Sequence, residues 1–236
     1  MSVLLEVDDL CISARNDDDE LTPIVKGVSF NVARGEVVAL IGESGSGKTT
    51  IALSSLGYTK PGLEFVGGEV RLEGEDVITM GADQLRGLRG QRVAYLAQSA
   101  AATFNPALTI GEQVTETCVL HGILTQKQAD ERAEFLYRAL ELPDPDLLGK
   151  RYPHQVSGGQ LQRLMAATAL CGKPDLLVLD EPTTALDVTT QIEVLKAFKS
   201  VIKQEGSAAI YVTHDLSVVA QIADHIVVLY AGETQE

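Results

Sequence analysis

The stretch Gly42-Glu43-Ser44-Gly45-Ser46-Gly47-Lys48-Thr49-Thr50 carries the clearest chemistry in the chain. Its G-x-x-x-x-G-K-T spacing is that of a loop folded around phosphate. The glycines let backbone N–H groups turn inward around an anion without Cβ clashes. Lys48 is placed to reach the outer phosphates, and the Thr49 hydroxyl to ligate Mg²⁺. The flanks agree with this. The apolar run Val37-Val38-Ala39-Leu40-Ile41 predicts a buried parallel strand before the loop, and Ile51-Ala52-Leu53 predicts the start of a helix after it. That helix would add partial positive charge at the phosphates. The expected ligand is a nucleoside triphosphate.

A second pair of groups lies far along the chain. Leu176-Leu177-Val178-Leu179 predicts a buried strand that ends in Asp180-Glu181. Carboxylates at the C-terminal end of such a strand sit where α/β folds bind ligands. Asp180 is suited to hold Mg²⁺ or its water shell, and Glu181 to orient or deprotonate a water attacking the γ-phosphate. Ser157-Gly158-Gly159-Gln160 opens a helix; Ser157 and Gln160 form a capping box. A cap does not require two glycines, so this helix N-terminus is also open to a phosphate.

Together these residues resemble the nucleotide-binding subunit of ATP-binding cassette (ABC) transporters. The loop at 42–49, Gln98 after its strand, Ser157–Gln160, Asp180-Glu181, Ala185-Leu186-Asp187 and Thr213-His214-Asp215 occur in that family's order. The resemblance implies two such domains packed head to tail. ATP then lies between the phosphate loop of one chain and Ser157, Gly159 and Gln160 of the other. It implies that Glu181 is the catalytic base and that His214 contacts the γ-phosphate. Gln98 then touches Mg²⁺ and the attacking water, and Asp187 lies in the loop linking the two sites. From the residues alone, Asp187 is equally the N-cap of the helix that follows.

Shorter matches are similar to the peptide, nickel and opine import branch: Glu43 inside the loop, Phe104-Asn105-Pro106, Tyr152-Pro153-His154-Gln155, His214 to Ala220, and Tyr230-Ala231-Gly232-Glu233. There are departures. Ser99-Ala100-Ala101-Ala102 stands where the branch has Asp-Pro, in a loop expected to face a membrane partner. Val156 replaces a leucine, and Ala14 occupies the position of the aromatic that stacks on adenine. Members of the branch commonly continue past the position of Glu236, which leaves a truncated chain or one half of a tandem subunit as alternatives. The function implied is an ATPase that powers an importer from the cytoplasmic side of the inner membrane, held there by permease subunits and served by a solute-binding protein. The alternatives are a soluble ABC ATPase of a cytosolic complex, or a regulatory module that binds ATP with little turnover.

The elements that must position these groups follow from pattern and composition. At 236 residues, with 45% hydrophobic and 22% charged residues, the chain can bury a substantial core. A net charge of −14 opposes a nucleic-acid partner held by bulk electrostatics. Three scattered cysteines, Cys11, Cys118 and Cys171, predict buried reduced thiols, and no apolar run approaches the ~20 residues of a membrane span. Strands are expected at residues 3–14, 24–32, 69–72, 92–98, 208–212 and 226–229, with a solvated acidic loop at 16–20 rather than a metal-attracting patch. Pro61-Gly62 and Gly67-Gly68 punctuate the exit from the first helix, and 99–108 is a loop. Residues 109–151 are helical, with a capping box at Thr125 and Gln128; Pro143 and Pro145 end that helix. Further helices are expected at 157–170, 188–204 and 216–222.

The predicted class is α/β: a P-loop core with a mostly parallel sheet, an N-terminal antiparallel part and an inserted helical subdomain. As one ABC ATPase domain, residues 1–98 and 171–236 form the nucleotide-binding core and about 99–170 the helical signature subdomain. With Ala14 in place of an aromatic, adenine is expected to rely on apolar contact, with Val25 as a candidate, or on an aromatic from elsewhere in the chain. ATP and GTP should therefore bind with affinities within about tenfold of each other. A strong preference in a nucleotide titration would refute this.

Overall fold

The computed structural model describes residues 2–16, 19–98, 100–183 and 188–235. The chain divides into two compact units, residues 1–89 with 208–236, and residues 90–207.

The first unit opens with two long strands, β1 (Val3–Arg15) and β2 (Leu21–Ala33), paired antiparallel. Then come β3 (Val37–Gly42), helix α1 (Lys48–Ser54), β4 (Leu63–Leu72), the two-residue β5 (Glu75–Asp76) and helix α2 (Ala82–Leu88). One sheet has the order β2-β1-β4-β5. Pro23 fits within β2 because that strand is the sheet edge. After the second unit the chain returns as β8 (Ala208–Thr213), helix α9 (Leu216–Ile222), β9 (His225–Tyr230) and β10 (Glu233–Thr234). Strand β3 pairs parallel with both β8 and β9, while β9 and β10 are antiparallel. Residues Val37 to Ile41 and the whole of β8 are buried, as expected of strands covered on both faces. Helix α9 packs through Val219, and the chain just after it through Ala223, onto Ala39 and Ile41.

The second unit contains β6 (Val93–Leu96) and β7 (Leu176–Asp180), paired parallel. Between them lie helices α3 (Ala100–Thr103), α4 (Ile110–Leu120), α5 (Gln126–Ala139), α6 (Pro145–Leu148) and α7 (Gly158–Cys171), with a 3₁₀ turn at Pro153–Gln155; α8 (Val188–Glu205) follows β7. Helices α4, α5 and α7 bury Val114, Cys118, Ala129, Ala133, Leu136, Leu164, Ala167 and Leu170 against one another. Leu96, Leu177, Leu179, Ala166, Phe198 and Ile202 close an apolar layer between the strand pair and helices α7 and α8. Arg132 ties three helices, pairing with Glu205 at 2.8 Å and donating to the Leu170 carbonyl at 3.1 Å. Among the described residues no helix is long and apolar enough to cross a membrane.

Several expectations need correction. Helix α1 begins at Lys48, not Ile51, because the chain enters it directly from Gly47. Gly67-Gly68 does not end a helix exit but lies inside β4, which is longer than the expected 69–72 and buries Val70 and Leu72. The pair sits at a register shift between β1 and β4, where a bulge needs a residue without a side chain. The 99–108 segment contains the short helix α3, and α5 ends at Ala139, before Pro143; Pro145 opens α6 at its first turn. Cys11 is half-exposed rather than buried, and its thiol donates to the Asp9 carbonyl at 3.4 Å. In the acidic loop Asp19 pairs with Arg15; Asp17 and Asp18 lie outside the described residues.

The bulge gives a sharp test. Gly68 has φ +79, and a Cβ there would stand 2.3 Å from the Asp9 carbonyl oxygen; Gly74 has φ +84 and open space around it. Gly68→Ala should cost about 2–3 kcal/mol or more, because backbone must move as well as adopt a left-handed conformation. Gly74→Ala should cost about 1 kcal/mol. Urea denaturation of both variants checks the difference.

Candidate functional site

In the first unit, β3 ends at Gly42 and α1 begins at Lys48, so the residues between form a short, tightly turned loop. Gly47 is the N-cap of α1 with φ +95, a conformation that disfavours any side chain. A Cβ at Gly42 would lie 2.1 Å from the Leu229 carbonyl oxygen, so the loop passes the end of β9 with no room to spare. The Ser46 amide donates to the Glu43 carbonyl at 3.2 Å. Lys48 is 7% exposed, and its ammonium is turned onto its own loop, donating to the carbonyls of Gly42 at 2.9 Å and Glu43 at 2.7 Å. Thr49 is half-buried and Thr50 buried, while Glu43, Ser44 and Gly45 are exposed.

These residues fit a bound polyphosphate. The Ser46 hydroxyl is buried and finds no hydrogen-bond partner among the described residues. A buried donor without an acceptor is costly, and a phosphate bound in such a loop would supply an oxygen to accept it. Val25, 1% exposed, lies against the same loop, with its Cγ2 3.4 Å from where a Gly47 Cβ would be. Ala14 is half-buried on β1. His214 is exposed at the end of β8. Its neighbour Asp215 caps α9, accepting from the Ser217 amide at 2.8 Å and hydroxyl at 2.7 Å; these bonds hold its carboxyl below the usual range.

In the second unit, the carboxyl ends of β6 and β7 lie side by side. Tyr95 is opposite Val178 in the parallel register and Leu96 is opposite Leu179. Two hydrogen bonds join the residues at these ends. The Tyr95 hydroxyl donates to Asp180 Oδ2 at 3.0 Å, and Gln98 Nε2 donates to Glu181 Oε2 at 3.1 Å. Asp180 is 8% exposed and Glu181 half-buried. Burial and the Asp180 charge both push the Tyr95 hydroxyl well above the usual phenol range, so it remains a donor. Glu181 has φ +50, a left-handed conformation that is unfavourable for a residue carrying a Cβ. The arrangement can hold a cation at one carboxylate and orient a water at the next.

At the head of α7, the Ser157 hydroxyl accepts from the Gln160 amide at 3.3 Å, and the Gln160 side chain accepts from the Ser157 amide at 2.9 Å. The capping box read from the sequence is therefore formed. Ser157 and Gly158 are exposed and Gly159 half-exposed. A Cβ at Gly158 would meet nothing within 4 Å, so this helix end faces open space. Asp187 lies outside the described residues, as do Ala185 and Leu186. Among the described residues no group of three His, Cys, Asp or Glu could hold a metal by itself. A Mg²⁺ held by a single carboxylate, a hydroxyl and phosphate oxygens needs no such group.

The structure thus joins Gln98 to Glu181 and leaves the phosphate loop and His214 on the other unit. Sequence reasoning gave no role to Tyr95. Its signal was available only through strand register: one phenol in the strand preceding Gln98, two residues out of step with Asp180.

Comparison with known proteins agrees with the motifs. A family model described as ABC transporter matches residues 25–184. The chain is 40% identical over 237 residues to the oligopeptide transport ATP-binding protein AppD of Bacillus subtilis strain 168, covering 100% of this chain and 72% of that protein. It is also 40% identical over 242 residues to the oligopeptide transport ATP-binding protein OppD of Mycobacterium tuberculosis H37Rv, where it spans 38% of the relative's length. Among solved structures, the dimeric post-hydrolysis state of the ATP-binding cassette MJ0796 bound to ADP and Pi superposes with a TM-score of 0.83 at 26% identity, covering 99% of this chain and 97% of that one.

Proposed function

We propose that this chain, which belongs to the ABC transporter family, is the ATP-binding and hydrolysing subunit of an importer for peptides or related small solutes such as nickel or opines. Whole-chain likeness to oligopeptide transport ATP-binding proteins supports the transport class. The observation that carries the catalytic part is the Gln98–Glu181 hydrogen bond, which holds a general base beside a Mg²⁺-binding carboxylate.

The roles follow from the chemistry of each group. The amides of Gly42 to Thr50 and the Lys48 ammonium bind the β- and γ-phosphates, Lys48 exchanging its two loop carbonyls for phosphate oxygens. Thr49 and Asp180, with Gln98, would hold Mg²⁺, which when bound would neutralise charge developing on the phosphate oxygens. Glu181 orients the attacking water and accepts its proton, while the water oxygen bonds to the γ-phosphorus and ADP departs. His214 donates to the γ-phosphate. In a head-to-tail dimer, Ser157, Gly158, Gly159 and Gln160 of the second chain complete the phosphate cage, and Asp187 links the two sites. Residues about 99–170 serve as the helical signature subdomain that answers to the permease. The subunit sits on the cytoplasmic side of the inner membrane, held by permease subunits and served indirectly by a solute-binding protein.

The test is turnover against binding. Glu181→Gln should lower ATP hydrolysis by about 10³-fold, within the range of a lost general base, and leave ATP affinity nearly unchanged. In vesicles carrying the permease, the same variant should abolish peptide accumulation. A variant that hydrolyses at the wild-type rate would remove Glu181 from its role.

A further inference from the structure

We infer that Tyr95 is a positioning residue whose hydroxyl fixes the Asp180 carboxylate in the orientation that Mg²⁺ requires; the inference rests on the function proposed above. The register makes the contact possible. Tyr95 on β6 is opposite Val178 on the adjacent parallel strand β7, and Asp180 lies two residues further along. Alternation puts Val178 and Asp180 on one face of the sheet, the face that Tyr95 shares. Two residues of strand rise about 6.6 Å, which is about the reach of a tyrosine from Cα to its hydroxyl. A shorter donor at position 95 would not span that step, and phenylalanine would span it without donating.

The contact is more than core packing. Tyr95 is 38% exposed, whereas Val93, Ala94 and Leu96 on the same strand are buried. Its hydroxyl, donated at 3.0 Å, is directed to the 8%-exposed carboxylate. A carboxylate turns about two bonds unless its oxygens are held, and Mg²⁺ tolerates little departure from octahedral geometry. Partners of ligating carboxylates typically change metal affinity by 10–100-fold when removed. The next residue is held in the same way, Glu181 by Gln98. Each acid at the end of β7 therefore has its own donor from β6 or the residues just after it.

The experiment compares the full wild-type chain with Tyr95→Phe. ADP affinity is measured by calorimetry without metal and across a Mg²⁺ titration, alongside ATP hydrolysis over the same titration. The expected result is a Mg²⁺ half-saturation raised about tenfold. Metal-free ADP affinity should be unchanged, and turnover at saturating Mg²⁺ should stay within about twofold of wild type. An unchanged half-saturation overturns the inference, even if the variant melts at a lower temperature, since that is the outcome of a purely structural hydroxyl. Equal weakening of ADP binding with and without metal also overturns it. If the wild-type chain itself shows no Mg²⁺-dependent ADP binding, the functional reading fails first, and the inference falls with it.

Discussion

The interiors of β3, β7 and β8 are apolar and almost wholly buried, and their backbones run in parallel ladders that occupy polar main-chain groups. Chemistry has to wait until the ladder ends. Gly42 follows the last buried residue of β3, Asp180 is the last residue of β7, and His214 follows β8 directly. The polar groups therefore emerge at carboxyl ends of parallel strands, where α/β folds bind ligands. A core substitution that shifted one of these strands by a residue would turn its terminal group to the opposite face.

What holds those groups once they emerge is local and specific. Lys48 donates to carbonyls on its own loop. These bonds keep a buried ammonium satisfied. Glu181 takes a left-handed conformation that costs roughly 1 kcal/mol, and its contact with Gln98 offsets part of that cost. Ser157 and Gln160 cap their helix with each other's side chains and main chains, so the glycines between them need no cap of their own. Each of these candidate groups is held by local hydrogen bonds, and the chain's net charge of −14 does not by itself oppose an anionic ligand.

Much of this was legible in the sequence, for a physical reason. The phosphate loop, the Ser157–Gln160 cap, the Asp180-Glu181 pair and the helix at 216–222 are encoded by neighbours, so spacing alone reveals them. The features that stayed hidden depend on distant partners. Gly67-Gly68 looks like a helix exit until β1 is laid beside it and a bulge is required. The alanines at 100–102 lack a period, yet α3 forms and contacts α7 through Thr103, whose hydroxyl lies 3.7 Å from the Met165 sulfur. Tyr95 and Asp180 are separated by 85 residues, and only the pairing of β6 with β7 brings them together.

On the proposed function, Glu181 drives hydrolysis in a site completed by the Ser157–Gln160 helix end of a second chain. The most direct measurement is the mass in solution, by size-exclusion with light scattering, of wild type and Glu181→Gln with and without Mg-ATP. The expected result is a monomeric wild type under turnover and a Glu181→Gln dimer that forms only with Mg-ATP and is lost when Ser157→Arg is added. A Glu181→Gln chain that binds ATP, stays monomeric, and also stays unpaired when assembled with its permease would contradict it.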